Sequence, residues 1–214
     1  AIIRAAVSEG LTFTQAAGTP VDVDTVATTS AKITFDSSNN KVVVVYTDQG
    51  NTYRGKAVVG TVDPSNNSIS FGTPVTFYSG EVGNDFFDVT FDSNSNKVVI
   101  VYQNVDESND GYVVGTVSGT SISFGTPVEF SSDAINMVKC TFDSSNNKVV
   151  IVYKNNDNSN YGTAIVGTVS GTSISYGSAV VFNSNNTSYP SPTFDTSNNK
   201  VVITYRSQNT THAT

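Results

Sequence analysis

Phe35-Asp36-Ser37-Ser38-Asn39-Asn40-Lys41-Val42-Val43-Val44-Val45-Tyr46 is the phrase from which this 214-residue chain is built. It returns as Phe91-Asp92 to Lys97 and on to Tyr102, as Phe142-Asp143 to Lys148 and on to Tyr153, and as Phe194-Asp195 to Lys200 and on to Tyr205. The anchor phenylalanines therefore stand 56, 51 and 52 residues apart. A fixed period near fifty, filled with β-branched runs and polar turns, predicts one supersecondary unit repeated until its faces are covered.

Each unit reads as four strands. Strand A ends in Thr-Phe-Asp, a polar turn follows, and strand B is the Lys-Val-Val-Ile-Val-Tyr run. In the third copy strand C is Gly162 to Val169, Ser170-Gly171-Thr172 reverses the chain, and strand D is Ser173 to Phe182. Four consecutive apolar residues in strand B predict a strand covered on both faces. Strand D alternates, with Ile122 and Phe124 against Ser121 and Ser123, so it is expected nearer solvent. Sheets stacked radially, inner strands sandwiched and outer strands exposed, satisfy both patterns.

The chain starts with a degraded C and D pair, Ile2 to Val7 and Leu11 to Val21, and its last repeat is an A and B pair, Pro192 to Tyr205. Pairing the two halves would close a ring and hide the sheet edges. The expected fold is thus all-β. It is a single four-bladed β-propeller over residues 1–206, in repeats of about 52 residues, closed by pairing the N-terminal C/D strands with the C-terminal A/B strands. A polar tail would occupy 207–214. The alternative is part of a larger propeller, completed by flanking sequence or a second chain. The start at Ala1 points to a processed product or a piece of a longer polypeptide.

A formal net charge of −7 argues against nucleic acid as a partner, because phosphate recognition rests on Lys and Arg displacing counterions. No apolar stretch reaches the roughly 18 residues that span a bilayer, so membrane insertion is not expected. Cys140 is the one cysteine, so no intrachain disulfide can form, and it reads as a small buried hydrophobe. Catalytic chemistry has little material. The single histidine, His212, falls in the tail, zinc needs more ligands than the chain owns, and Asp85, Asp88, Asp106 and Glu107 have no spacing that marks a carboxylate pair. No enzyme activity, cofactor or metal is expected.

The repeated Asp36, Asp92, Asp143 and Asp195 loosely suggest a calcium loop, but lack its Gly and distal Glu. They read instead as caps of their own turns. Lys41, Lys97, Lys148 and Lys200 read as solvated partners of those aspartates. Tyr46, Tyr102, Tyr153 and Tyr205 read as packing between sheets with the hydroxyl at the rim.

Copies agree in the A to B and C to D turns and differ in the B to C and D to A segments, which lie on the opposite side of such a disk. One face is therefore expected to be monotonous and the other diverse. The diverse face supplies the ligand-binding candidates Tyr53, Arg54, Asp85, Phe86, Phe87, Asp88, Asp106, Met137, Asp157 and Tyr189. Aromatic rings beside Asn and Asp suit a glycan or a protein epitope.

Phe-Asp-Ser-Ser-Asn-Asn-Lys-Val-Val-Val-Val-Tyr, followed by Val-Val-Gly-Thr-Val-Ser-Gly-Thr-Ser-Ile-Ser-Phe-Gly-Thr-Pro-Val, resembles the propeller-type repeats of about fifty residues in structural and fibre proteins of marine bacteriophages and in bacterial surface adhesins. The resemblance covers residues from about 30 to 205 and carries no catalytic signature. It implies a non-enzymatic recognition module on a virion surface or outside the cell. Its partners would be a host-surface glycan or protein and other subunits of the same assembly. Two alternatives follow: a purely structural spacer, and a glycan-processing enzyme with two facing carboxylates in a loop-face pocket.

Overall fold

A computed structural model describes residues 4–5, 18–105 and 110–208, with the side chains of Arg4, Ala5 and Asp85 outside the description. Every sheet is antiparallel. At the N-terminus β1 (Arg4–Ala5) pairs with β2 (Val21–Asp22). The first unit holds β3 (Ala31–Asp36), β4 (Lys41–Asp48), β5 (Arg54–Asp63), β6 (Ser68–Phe71) and the start of β7 (Val75–Asp92). The second holds the rest of β7, then β8 (Lys97–Asn104), β9 (Asp110–Ser118), β10 (Ser121–Phe124) and β11 (Val128–Ser131). The third comprises β12 (Ile135–Asp143), β13 (Lys148–Asn155), β14 (Tyr161–Ser170), β15 (Ser173–Tyr176) and the start of β16 (Val180–Asp195); the remainder of β16 pairs with β17 (Lys200–Ser207).

The expected A, B, C and D strands are present, with two corrections. Strand D is broken: β6 and the start of β7 both pair with β5, separated by Gly72-Thr73-Pro74, and Gly72 N–H donates to Val59 O at 2.9 Å. Nor are the first and third D to A segments free loops, although the second leaves the ladder at residues 132–134. β7 pairs with β5 up to Glu81 and with β8 from Val82, so one strand passes from sheet to sheet. β16 does the same between β14 and β17.

Turn chemistry explains the repeated polar phrase. Asp36 Oδ1 accepts the N–H groups of Ser38 and Asn39, both at 3.0 Å, and its Oδ2 accepts Asn39 Nδ2 at 2.9 Å. Asp92, Asp143 and Asp195 repeat the pattern. Asn40, Asn96, Asn147 and Asn199 close these turns at φ between 52 and 54°, a left-handed conformation that Asn tolerates. The lysines depart from expectation: Lys41 and Lys97 reach across the sheet to Thr61 and Thr116 at 2.9 and 2.8 Å, and Lys148 likewise reaches Thr168. Three of the four repeat lysines thus bond a strand C threonine.

Strand B is buried on both faces, as its four apolar residues require. Val98, Ile100 and Tyr102 meet Val43, Val45, Ala57 and Val59 of the first unit, while Val99 and Val101 meet Val149, Ile151 and Tyr153 of the third. Three of the four strand B tyrosines pack on the strand D aromatic of the preceding unit: Tyr102 on Phe77 (5.7 Å between centroids), Tyr153 on Phe130 (5.8 Å), Tyr205 on Phe182 (5.2 Å). Aromatic pairs at such separations add roughly 0.5–1.5 kcal/mol beyond area burial. Cys140 is buried between the second and third units.

The N-terminal segment joins this pattern. Ala5 opposes Val21 as Ala57 opposes Val75, Tyr112 opposes Val128 and Ala164 opposes Val180, which is the strand C to D register. Val23 occupies the position of Phe77 and Phe130 and packs with Tyr46. Asp24 then accepts the Tyr46 hydroxyl at 2.6 Å. Residues 21–24 therefore sit on the first unit as a strand D sits on its successor.

Among the described residues β17 pairs with β16 alone. Val202, whose counterparts Val43, Val99 and Val150 are buried, is 47 % exposed; Val166, whose counterparts Val59 and Val114 are buried, is 41 % exposed. Ile33 and Phe35 are 60 % and 52 % exposed where Val89 and Phe91 are buried. The all-β architecture is compatible with a propeller.

Candidate functional site

The antiparallel meander puts the uniform A to B and C to D turns at one end and the B to C loops and D to A crossings at the other. At that second end a backbone bond recurs in all four units: Gln49, Val105, Asn156 and Gln208, each three residues past its tyrosine, donate N–H to Ala27, Glu81, Ala134 and Asn186 at 2.9–3.1 Å. These bonds tie each B to C loop to the incoming crossing, so the diverse segments form a fixed surface.

Where the crossings become strand A, the ladder slips. Register shifts fall between Val82 and Phe87, between Asn136 and Lys139, and between Ser188 and Ser191. Met137 and Tyr189 adopt φ of 57° and 54°, which costs a bulky residue of order 1–3 kcal/mol. The next residues, Val138 and Pro190, turn into the interior, while Tyr189 stays exposed. Bulges re-aim side chains in this way.

Phe86, Met137 and Tyr189 are equivalent in the repeat, each five residues before its anchor phenylalanine, and the structure brings all three to one cavity. It measures about 350 Å³ and is lined by Lys32, Phe86, Met137, Lys139, Tyr189, Pro190 and Ser191. These residues come from strand A of every unit, namely β3, β7, β12 and β16, and β7 and β12 lie side by side, as do β12 and β16. The Tyr189 N–H approaches Met137 Sδ at 3.1 Å. Arg206 of β17 sits 5.6 Å from the Tyr189 ring centroid.

Charge enters the cavity three residues before the anchor phenylalanine, where the units place Lys32, Asp88, Lys139 and Ser191. Lys139 Nζ donates to Phe87 O at 3.3 Å and Lys32 Nζ lies 5.7 Å from the Phe87 ring centroid. Asp88 Oδ2 accepts the Cys140 N–H at 3.1 Å. Burial pushes the Asp88 carboxyl above its ordinary range, opposed by that N–H and by the charges of Lys139 and Lys32.

The ten candidates thus separate. Phe86, Met137 and Tyr189 line the cavity, and Asp88 stands beside its lysines. Phe87 is a correction: it is fully buried in the core with Val82, Val89 and Tyr102, because the bulge turns it away from its neighbour Phe86. Tyr53 ends the first B to C loop and Arg54 opens β5; Tyr53 O accepts the Val82 N–H at 3.1 Å and Arg54 opposes Glu81. Asp157, in the third such loop, accepts the Ala134 N–H at 2.9 Å. None of these three lines the cavity. Asp106 lies outside the described residues, as does the Asp85 side chain. Sequence reasoning missed Lys32, Lys139, Pro190 and Ser191. Aligning the copies on the anchor phenylalanine and reading back three and five places would have found the lysines.

Fold and site together define a class: an all-β repeat protein whose innermost strands converge on a small cavity of mixed apolar and cationic lining. No protein-family model matches the chain, and a search of curated proteins finds no match.

Proposed function

We propose that the chain is a non-enzymatic recognition module, displayed on a virion or other extracellular surface, that binds a host-surface glycan or protein through the cavity between its A strands. The observation that carries this reading is the convergence of Phe86, Met137 and Tyr189, three unlike residues at one repeat position, on a single cavity. Two of them hold a left-handed backbone that a purely structural strand would have no reason to keep. Among the described residues the lining holds no pair of carboxylates, the arrangement that glycoside hydrolysis would use. A volume of about 350 Å³ falls in the range of small-molecule sites.

The same proposal includes a four-bladed ring. Residues 1–17 would extend β1 and β2 into a full C/D pair that docks on β17 and covers Val166, Val202, Ile33 and Phe35. Support comes from the β1–β2 register and from Val23 and Asp24 on Tyr46. Binding of the full chain to host cells or to an immobilised glycan panel tests the site. Phe86→Ala and Tyr189→Ala should each lose signal while melting like the wild type; unchanged binding by both would remove the cavity from consideration.

A further inference from the structure

We infer that the partner of the cavity is a protein, which inserts one apolar side chain among Phe86, Met137 and Tyr189 and lays a carboxylate on Arg206. This rests on the recognition reading above and narrows its ligand class to a polypeptide segment that is both apolar and acidic.

The hydrogen-bonding groups of the lining point this way. Phe86, Met137, Tyr189 and Pro190 give the cavity apolar walls. Among the described residues no Asp, Glu, Asn or Gln lines it, and Lys32 and Lys139 are donors with no acceptor to offer. Met137 Sδ is already taken by the Tyr189 N–H. Side-chain acceptors in the lining are thus confined to the hydroxyls of Tyr189 and Ser191. A sugar carries hydroxyl donors around its ring, and donors buried without acceptors are costly. An aliphatic or aromatic side chain has none to lose.

Tyr189 is a fixed contact at the rim. It is 67 % exposed, while Ser188 before it and Pro190 after it are buried, so the register shift between Ser188 and Ser191 pins its backbone on both sides. Its φ of 54° is held before any partner arrives, which removes part of the ordering cost of binding. Arg206, opposite Ser188 on β17, stacks 5.6 Å from the Tyr189 ring centroid but does not line the cavity, so its guanidinium meets the ring from outside. Arg206 is exposed, and among the described residues that ring is the one partner of its guanidinium. Aromatic residues, Met and Arg are the types enriched at protein–protein contacts, and Tyr and Arg among those that dominate their energetics. The planar guanidinium matches a carboxylate two bonds at a time, which supplies the charge complementarity. A second copy of a chain with net charge −7 is disfavoured by repulsion, so the partner is a different protein.

The test selects a displayed library of random peptides on the full chain. Enriched peptides should share an apolar residue with Asp or Glu a few positions away. Tyr189→Ala should weaken the best of them by about thirtyfold, the loss expected of a hot spot, while Tyr189→Phe keeps most of the affinity. Arg206→Gln should weaken it by about tenfold. Neutralising the peptide's own carboxylate should cost the same, and both changes together no more than either alone. Absence of any enriched sequence would overturn the inference, as would equal binding by a Tyr189→Ala variant that melts like the wild type. Additive losses in the paired substitutions would overturn the Arg206 contact. Dimerisation of the chain alone that Tyr189→Ala abolishes would put a second copy at the cavity and overturn the choice of partner. If glycans bind through Phe86 and Tyr189 and no peptide does, the recognition site stands and the protein partner falls. If host cells, glycans and peptides all fail to bind, both readings fall.

Discussion

Three valines at one repeat position form an internal experiment on ring closure. Val59, Val114 and Val166 each precede the strand C glycine and face the following unit; the first two are buried, and Val166 is 41 % exposed among the described residues. Val→Ala removes two methyl-sized groups, worth about 0.8 kcal/mol each in transfer alone. With the cavity left behind, a fully buried site should lose about 2–3 kcal/mol. A site that keeps two-fifths of its exposure should lose roughly half that, since part of its surface never left water. If residues 1–17 complete the fourth unit, Val166→Ala in the full chain should match Val114→Ala and Val59→Ala to within about 0.5 kcal/mol. Urea unfolding of the three variants measures this directly. Thermal melts give a second reading, because a domain of this size shifts by about 2–4 °C per kcal/mol. A Val166→Ala cost below about 1 kcal/mol, beside a Val114→Ala cost above 2, would refute closure.

Two further outcomes follow from the interior. A Cβ on Gly115 would lie 2.8 Å from both Ile122 Cδ1 and Phe124 Cε1, so Gly115→Ala should destabilise by about 1–3 kcal/mol, whereas Gly177→Ala, whose Cβ meets only Val166 O at 3.9 Å, should melt near the wild type. Asp110 is buried and pushed up to about 7, by burial first and by the Glu129 charge, against the N–H groups of Ile135 and Asn104 that its two oxygens accept. Its folded value lies above the unfolded one, so its share of stability is complete below about pH 4 and is lost as pH rises through about 7, at no more than about 1.4 kcal/mol per unit. Urea midpoints between pH 5 and 8 should fall accordingly, and Asp110→Asn should flatten that slope; an unaltered slope would clear Asp110.

Much of the architecture was legible in the chain. The repeat anchors placed strands A and B, four apolar residues in a row placed strand B between two sheets, and Asp with Asn placed the turns, because each of these depends on residues within one turn or one strand. The D to A segments were not legible as strands. Tyr78 to Asp88 is rich in Gly, Asn and Asp, a composition that reads as loop, yet its backbone is held by β5 on one side and β8 on the other. Phe86 and Phe87 show the same limit at the site. Adjacent in sequence and alike in chemistry, they part because one register shift sends Phe87 into the core and Phe86 to the cavity.

By itself, then, the sequence determined the unit: its length, its turns, its inner strand and the separation of a uniform end from a diverse one. All of that follows from local hydrogen bonding and from the period of apolar residues. The tertiary structure decided which residues of the diverse end meet. Lys32, Phe86, Lys139 and Tyr189 are spread over 158 positions of chain and share a cavity because four A strands converge there. That convergence is set by the packing of one sheet on the next.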